Sequence, residues 1–347
     1  MNDSSLRVGV IGLGRISAAH LGGFRAADGV EIVVVCDTDP RKVEAVQMQL
    51  GVPGLTDYRS VLNDDTVDGV ALLLPHQLHY AVAREALDAG KHVYVEKPFT
   101  VHRHEADELI RSAEERSLTL AVAENTRFVD AYIAAERVVR SGELGEIRAV
   151  RGFIPDQILD EWADEPDGWK RQPFGAAAIM DCAPHMLYLL LWLFGEVESL
   201  QAIALRYVPD VELENHGVIA GRLASGALFD VTLSSVTEYP RGERVEIYGS
   251  AATLVIDQVL DPPVILYQGD TDPKGTPLKE VAYDLQGWKR RSIEAAAQDF
   301  IVAVRTRKPA AVDLAHARTT VHLVECAYES VARGGLRVDV SAPLTSD

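Results

Sequence analysis

The segment GVIGLGRIS, residues 9–17, constrains this chain more than any other stretch of it. It overlaps the apolar run RVGVI at 7–11 and opens an amphipathic stretch at 17–27. Strand, glycine turn and helix in that order form the entry to a βαβ unit that binds a dinucleotide. Gly12 permits the tight turn, Gly14 removes the side chain that would block a pyrophosphate, and Ser17 lets helix and strand pack closely. The helix N-terminus, with Arg15 and Ile16 in its approach, offers N–H groups and a positive dipole end to phosphate. Asp37 ends the second strand 23 residues after Gly14, near the spacing of about 20 for an acid on the ribose hydroxyls. Taken alone, the turn would also fit a glycine loop that only eases packing. Asp37 and the flanking elements favour the dinucleotide. The Asp37 carboxylate would repel a 2′-phosphate, which selects NAD. Arg41 and Lys42, one turn further on, could neutralise that phosphate and so keep NADP open.

The same alternation continues. Apolar runs at 7–11, 31–36, 69–74, 92–95 and 118–122 are separated by helix-like stretches at 17–27, 40–50, 79–89 and 104–116. Strands that are apolar throughout are covered on both faces, as in a parallel sheet. The expectation is α/β: an N-terminal Rossmann domain, a doubly wound parallel sheet, over 1–125. Beyond it the pattern changes. A helix at 130–141, a strand at 147–154 and a helix at 178–194 precede a strand-rich region from 197 to 283. ALFDVTLSS at 227–235 places Ala227, Phe229, Val231 and Leu233 on one face and Asp230, Thr232 and Ser234 on the other. Such alternation marks an antiparallel sheet with one open face. Helices at 292–306 and 314–333 close the chain. The second domain, 126–347, is therefore read as α/β with a large, mostly antiparallel open sheet.

A net charge of −18 excludes a sequence-independent grip on nucleic acid and disfavours anionic membranes. The longest apolar run, 186–194, is about half of what crossing a bilayer takes. Cys36, Cys182 and Cys326 are scattered and form no CxxC pair, so no disulfide framework or zinc site is expected. With no basic and apolar leader at the start, the expected compartment is the cytoplasm.

Two groups carry chemistry. GKHVYVEKP, 90–98, puts Lys97 just past the carboxyl end of the fourth strand, where open α/β sheets bind ligands. Near an oxidised nicotinamide, such a lysine can hydrogen-bond the reacting oxygen; a surface lysine before a turn proline is the other reading. Asp181 and His185 are four residues apart in the apolar stretch at 178–194 and so share a helix face. Buried polar groups need partners. The two are either a mutually satisfied helix pair, with Asp181 capping, or an acid–base unit with the histidine as base. A metal lacks a third ligand there.

The order GLGRIS, then Pro75-x-x-x-His79, GKHVYVEKP, Asn125-x-Arg127-Phe128 and Asp181-x-x-x-His185 resembles the Gfo/Idh/MocA oxidoreductases, a family that includes glucose–fructose oxidoreductase and inositol dehydrogenase. The likeness continues through SGELGEI at 141–147 and VECAYES at 324–330. It implies an NAD(P)-dependent enzyme acting on CH–OH groups of a carbohydrate or cyclitol, assembled as a homodimer or homotetramer through the open sheet. Lys97 matches the lysine that contacts the reacting hydroxyl, His185 the acid/base histidine, and Asp181 the aspartate that orients substrate or histidine. Pro75, His79, Glu96 and Asn125 fall where the family lines its nicotinamide pocket. Arg127, Trp169 and Arg171 match substrate-side positions. Departures lie close to the site: Gly175-Ala176-Ala177 for three glycines, Asp181-Cys-Ala-Pro-His185 for D-x-G-x-H, Tyr188 for an aspartate and His76 for an asparagine. Within such a frame, a glycosidase or lyase using transient oxidation and a non-catalytic dinucleotide sensor are the competing functions.

Overall fold

Residues 5–156, 168–208, 211–240, 242–269 and 274–341 are described by a computed structural model in which the chain divides into two units. One comprises residues up to Phe128 together with Lys289–Val321; the other comprises Val129–Trp288 and the segment from His322. The sequence reading ran the second domain unbroken from 126 to 347. Residues 289–321 instead join the first unit.

The first unit holds β1 (Leu6–Ile11), α1 (Ser17–Ala26), β2 (Val30–Cys36), α2 (Pro40–Leu50), β3 (Gly54–Leu55), α3 (Tyr58–Leu62), β4 (Gly69–Leu72), α4 (His79–Asp88), β5 (His92–Glu96), α5 (Arg103–Glu115) and β6 (Leu120–Ala123). The six strands are all parallel in the order β3-β2-β1-β4-β5-β6. Continuous apolar runs predicted strands covered on both faces, and Val8, Val10, Val70 and Val93 are fully buried. From Lys289 onward α8 (Trp288–Thr306) belongs here, because Ala296, Ala297, Phe300 and Ile301 join Phe24 and Tyr94 in one core. Gly23 of α1 makes that approach close: a Cβ there would stand 2.7 Å from the Glu294 backbone. The first half of α9 (Leu314–Ala332) is held by Arg318, which donates to Asp107 of α5 at 2.7 Å.

The second unit contains α6 (Asp130–Ser141), β7 (Ile147–Pro155), α7 (Ala183–Phe194), β8 (Val197–Leu205), β9 (His216–Leu223), β10 (Leu228–Ser234), β11 (Arg244–Gly249), β12 (Thr253–Asp257), β13 (Val264–Tyr267), β14 (Thr276–Pro277) and β15 (Val338–Asp339). The sheet order is β14-β13-β12-β11-β7-β10-β9-β8-β15, antiparallel throughout except between β7 and β10. The inner face carries Ile219, Phe229, Val231, Leu233, Val245 and Ile247, all buried. Helix α7 covers it, with Met186 against Gly152 of β7. The outer face is open: Ile203 is 63% and Leu228 59% exposed. Among the described residues no helix is long and apolar enough to cross a membrane.

Candidate active site

The glycine turn sits between β1 and α1, as its sequence requires. Gly12 adopts φ +99°, and its N–H donates to the Cys36 carbonyl at 2.8 Å. A Cβ on Gly12 would lie 2.1 Å from the Leu73 carbonyl oxygen, so this glycine is demanded by the protein itself. Gly14 differs. A Cβ there would meet no protein atom within 4 Å, and its φ is not positive. Nothing in the fold calls for glycine at 14, which leaves close approach of a ligand as the physical reason. Ser17 closes the turn, its Oγ donating to the Gly14 carbonyl at 2.7 Å. The first turn of α1 carries neither a side-chain cap nor an acidic residue. Its dipole end is thus left for an anion.

Asp37 lies just past β2. One carboxylate oxygen accepts from the Leu13 N–H at 2.7 Å and the other from the Asp39 N–H at 2.9 Å. The carboxylate is thereby fixed beside the turn, and each oxygen retains lone-pair capacity for ribose hydroxyls. Arg41, one of the two residues that could neutralise a 2′-phosphate, is engaged elsewhere. It makes a two-pronged contact with Asp39 at 3.0 and 2.9 Å. That guanidinium, with the Arg41 backbone N–H, lowers the Asp39 carboxyl to about 2. These residues fit NAD. Replacing Asp37 by serine is expected to raise the NADP-to-NAD affinity ratio by about ten- to a hundredfold, since one like-charge repulsion is removed. Titration of both cofactors checks this, and an unchanged ratio would sink the assignment of Asp37.

Lys97 stands half-buried at the carboxyl end of β5, followed by a cis bond to Pro98. Two neighbours fix that edge. His79 is fully buried, with Nδ1 2.7 Å from the Pro98 carbonyl and Nε2 2.9 Å from that of Leu74. Burial and the adjacent His76 push its ring down to about 4, so near neutral pH it donates one N–H to this backbone. The sequence placed His79 in the nicotinamide pocket; its ring nitrogens face the backbone of the two turns flanking it. Glu96 is buried, and one of its oxygens lies 2.9 Å from His20 Nε2. Pro75 precedes a single helical turn at His76–Leu78. Asn125 and Arg127 share the turn Asn125–Phe128 after β6, and the Asn125 amide donates to Ser292 Oγ of α8 at 2.8 Å.

In the second unit, Trp169 and Arg171 lie in the short turn Trp169–Arg171. The Ala176 N–H straps that turn by donating to the Lys170 carbonyl at 2.9 Å, and Gly175 leaves no room for a Cβ, which would stand 2.4 Å from the same oxygen. Of the 155–173 loop, residues 157–167 lie outside the described residues. Asp181 occupies a wide helical turn, Ala178–Cys182, with five-residue spacing, and His185 the first turn of α7. The sequence predicted one regular helix over 178–194. The polypeptide instead changes pitch between the two residues, where Pro184 enters near the α7 N-terminus. Asp181 is half-buried and His185 is 8% exposed. Glu214 anchors this turn. It accepts from the Ile179 N–H at 3.1 Å and from Tyr328 Oη at 2.7 Å, while its carbonyl takes the Ala178 N–H at 2.9 Å. Burial raises the Glu214 carboxyl above its ordinary range. Sequence reasoning missed Glu214, His20 and Ser292. Tyr328 was legible only as part of the 324–330 segment.

A glycine turn between strand and helix, with an acidic residue held beside it, is the arrangement of a dinucleotide-binding Rossmann unit. Residues 6–124 match the oxidoreductase family with an NAD-binding Rossmann fold, and residues 132–255 match the GFO/IDH/MocA C-terminal domain. The chain belongs to the GFO/IDH/MocA oxidoreductase family and uses NAD. It is 30% identical to a dTDP-3,4-didehydro-2,6-dideoxy-alpha-D-glucose 3-reductase of Streptomyces violaceoruber, over 75% of each chain. It is 26% identical to a myo-inositol 2-dehydrogenase of Thermotoga maritima, over 88% of this chain and 90% of that one. Its fold matches the WlbA dehydrogenase of Bordetella pertussis, crystallised with NADH and UDP-GlcNAcA, at a TM-score of 0.88. That match has 24% identity and covers 99% of this chain and 100% of the other.

Proposed function

We propose that this enzyme moves a hydride between NAD and a secondary alcohol or hemiacetal carbon of a sugar, sugar derivative or cyclitol. The observation that carries the reading is Lys97, half-buried at the carboxyl end of β5, on the sheet edge served by the Gly12–Ser17 turn and Asp37. Two relatives named for a nucleotide deoxysugar and an inositol support the substrate class. NAD, when bound, supplies the hydride acceptor. Gly14 and the α1 N-terminus receive its phosphates, Asp37 its ribose hydroxyls, and Pro75, Glu96 and Asn125 border the nicotinamide side. His185 accepts the hydroxyl proton as the substrate C–H bond breaks, Asp181 orients substrate or histidine, and Lys97 stabilises the developing alkoxide. Arg127, Trp169 and Arg171 are assigned to the substrate. In the reductive direction the same groups return the proton to a ketone.

A homodimer or homotetramer formed through the open sheet belongs to this reading, supported by Ile203, Leu205 and Leu228 on its outer face. A cytoplasmic setting is supported by Cys36, Cys182 and Cys326, all buried and none in a disulfide. The test is a panel of sugars, inositols and keto-sugars, with reduced cofactor followed by absorbance. Net formation or loss of NADH with one of them is the expected result. Turnover of a glycoside without net NADH would replace simple dehydrogenation by transient oxidation. Silence across the panel despite NAD binding would favour a dinucleotide sensor.

A further inference from the structure

Behind the lysine-bearing edge, three polar side chains form a buried chain. His20 of α1 has no exposed surface; its Nδ1 lies 3.0 Å from Tyr94 Oη, and its Nε2 lies 2.9 Å from Glu96 Oε1. Tyr94 is also fully buried, with the rings of Phe24 and Phe300 packed against its own at 5.6 and 5.5 Å. The phenol is lifted well above its ordinary range by burial, so it keeps its proton and can donate. Burial also opposes ionisation of Glu96. The hydrogen bond from His20, with the charge of Lys97 next in the chain, outweighs it and holds the carboxyl below its ordinary range. One arrangement satisfies both ring nitrogens and the phenol: Tyr94 O–H donates to Nδ1, and Nε2–H donates to the Glu96 carboxylate.

A buried anion is costly, and perturbed buried carboxylates cluster at functional sites. Helix α1 presents its N-terminus to the phosphates and, through His20, grips the strand end that carries Lys97. We propose that the Tyr94–His20–Glu96 chain fixes a permanent carboxylate at the nicotinamide end of the cofactor site and thereby sets its relative affinity for oxidised and reduced NAD. The inference rests on the reading that the nicotinamide lies over the β5 edge. The oxidised ring is a cation and the reduced ring is neutral, so a fixed anion favours the first. It also balances Lys97, whose charge alone would repel the oxidised ring. His20 and Tyr94 are positioning residues, because they act through Glu96.

The experiment measures dissociation constants of NAD⁺ and NADH separately, by NADH fluorescence and its displacement, on the full chain and on His20→Leu, His20→Gln, Glu96→Gln and Tyr94→Phe variants. Glu96→Gln and His20→Leu are each expected to weaken NAD⁺ about tenfold more than NADH. His20→Gln keeps a side-chain N–H for the carboxylate and should stay within about threefold of the native ratio. Tyr94→Phe should shift the ratio the same way but less. A purely structural role would weaken both forms together and leave the ratio unchanged. Should His20→Leu fail to fold, the nearly isosteric Glu96→Gln decides alone. An unchanged ratio in Glu96→Gln, or equal loss of both forms, overturns the proposal while leaving the dehydrogenase reading intact. A native protein that binds neither form overturns both.

Discussion

Replacing His185 or Lys97 by alanine is expected to lower turnover by about 10²–10⁴-fold, the range that a positioned acid or base contributes, while NAD affinity stays within about threefold. The asymmetry is the substance of the prediction. Neither side chain belongs to the Gly12–Ser17 turn or to Asp37, which the proposal assigns to the phosphates and the ribose, so ground-state binding of the cofactor should survive. The proton removed from the hydroxyl, and the charge that grows on its oxygen, exist only along the reaction. Losing a group that meets them therefore appears in turnover more than in cofactor binding. The double variant should be little worse than the poorer single one, because groups that serve one transition state act as a unit. His185 is 8% exposed, so folding must be controlled; His185→Asn removes the base at nearly constant volume and should be as impaired as alanine. Single-turnover measurements with a substrate found in the panel would check each variant. Wild-type turnover in both alanine variants would remove Lys97 and His185 from the mechanism.

What could be read in advance follows the range of the interactions involved. Parallel strands that are apolar throughout advertise themselves, and all five predicted in the first unit begin and end within two residues of the observed strands. β3, with two residues, is too short to show a period. Helix α8 showed its apolar face, yet that face does not say which sheet it covers. Phe300, Ala297 and Ile301 fall on the first unit because α1 offers Gly23 for a close approach. The pitch change at Ala178–Cys182 was hidden by a run that is apolar all round, which carries no phase information. The site divides in the same way. Gly12, Gly14 and Asp37 announced themselves by spacing along 26 residues. Their supports did not, because each is a polar side chain brought in from afar: His20 to Glu96 across 76 positions, Tyr328 to Glu214 across 114, and Asn125 to Ser292 across 167. Ser234 shows the limit of alternation. It was assigned to the open face and is fully buried, because β10 ends there and the next residues turn over it, the Val236 N–H donating to Ser234 Oγ at 3.4 Å.

The glycines at 12 and 14 should behave oppositely when each becomes alanine. At Gly12 a methyl group would sit 2.1 Å from the Leu73 carbonyl oxygen, well inside contact distance, with the backbone at φ +99°. Leu73 cannot yield cheaply, because its N–H donates to Ile11 at 2.8 Å beside the β1–β4 ladder at the centre of the sheet. Backbone strain of about 1–3 kcal/mol and overpacking of about 1–3 kcal/mol then fall together. Gly12→Ala is expected to lose roughly 2–6 kcal/mol of stability, a large share of a typical domain's total, and with it the cofactor site. At Gly14 the methyl group meets no protein atom within 4 Å, and no positive φ stands in the way. The folded state should therefore be untouched, and its melting temperature should match the native value within about 1 °C. The methyl would point into the space that the pyrophosphate needs, so NAD affinity should fall by about tenfold or more. Thermal unfolding and NAD titration on the two variants separate the cases. A Gly14→Ala protein that binds NAD normally would show that the opening beside the α1 N-terminus is not where the phosphates lie.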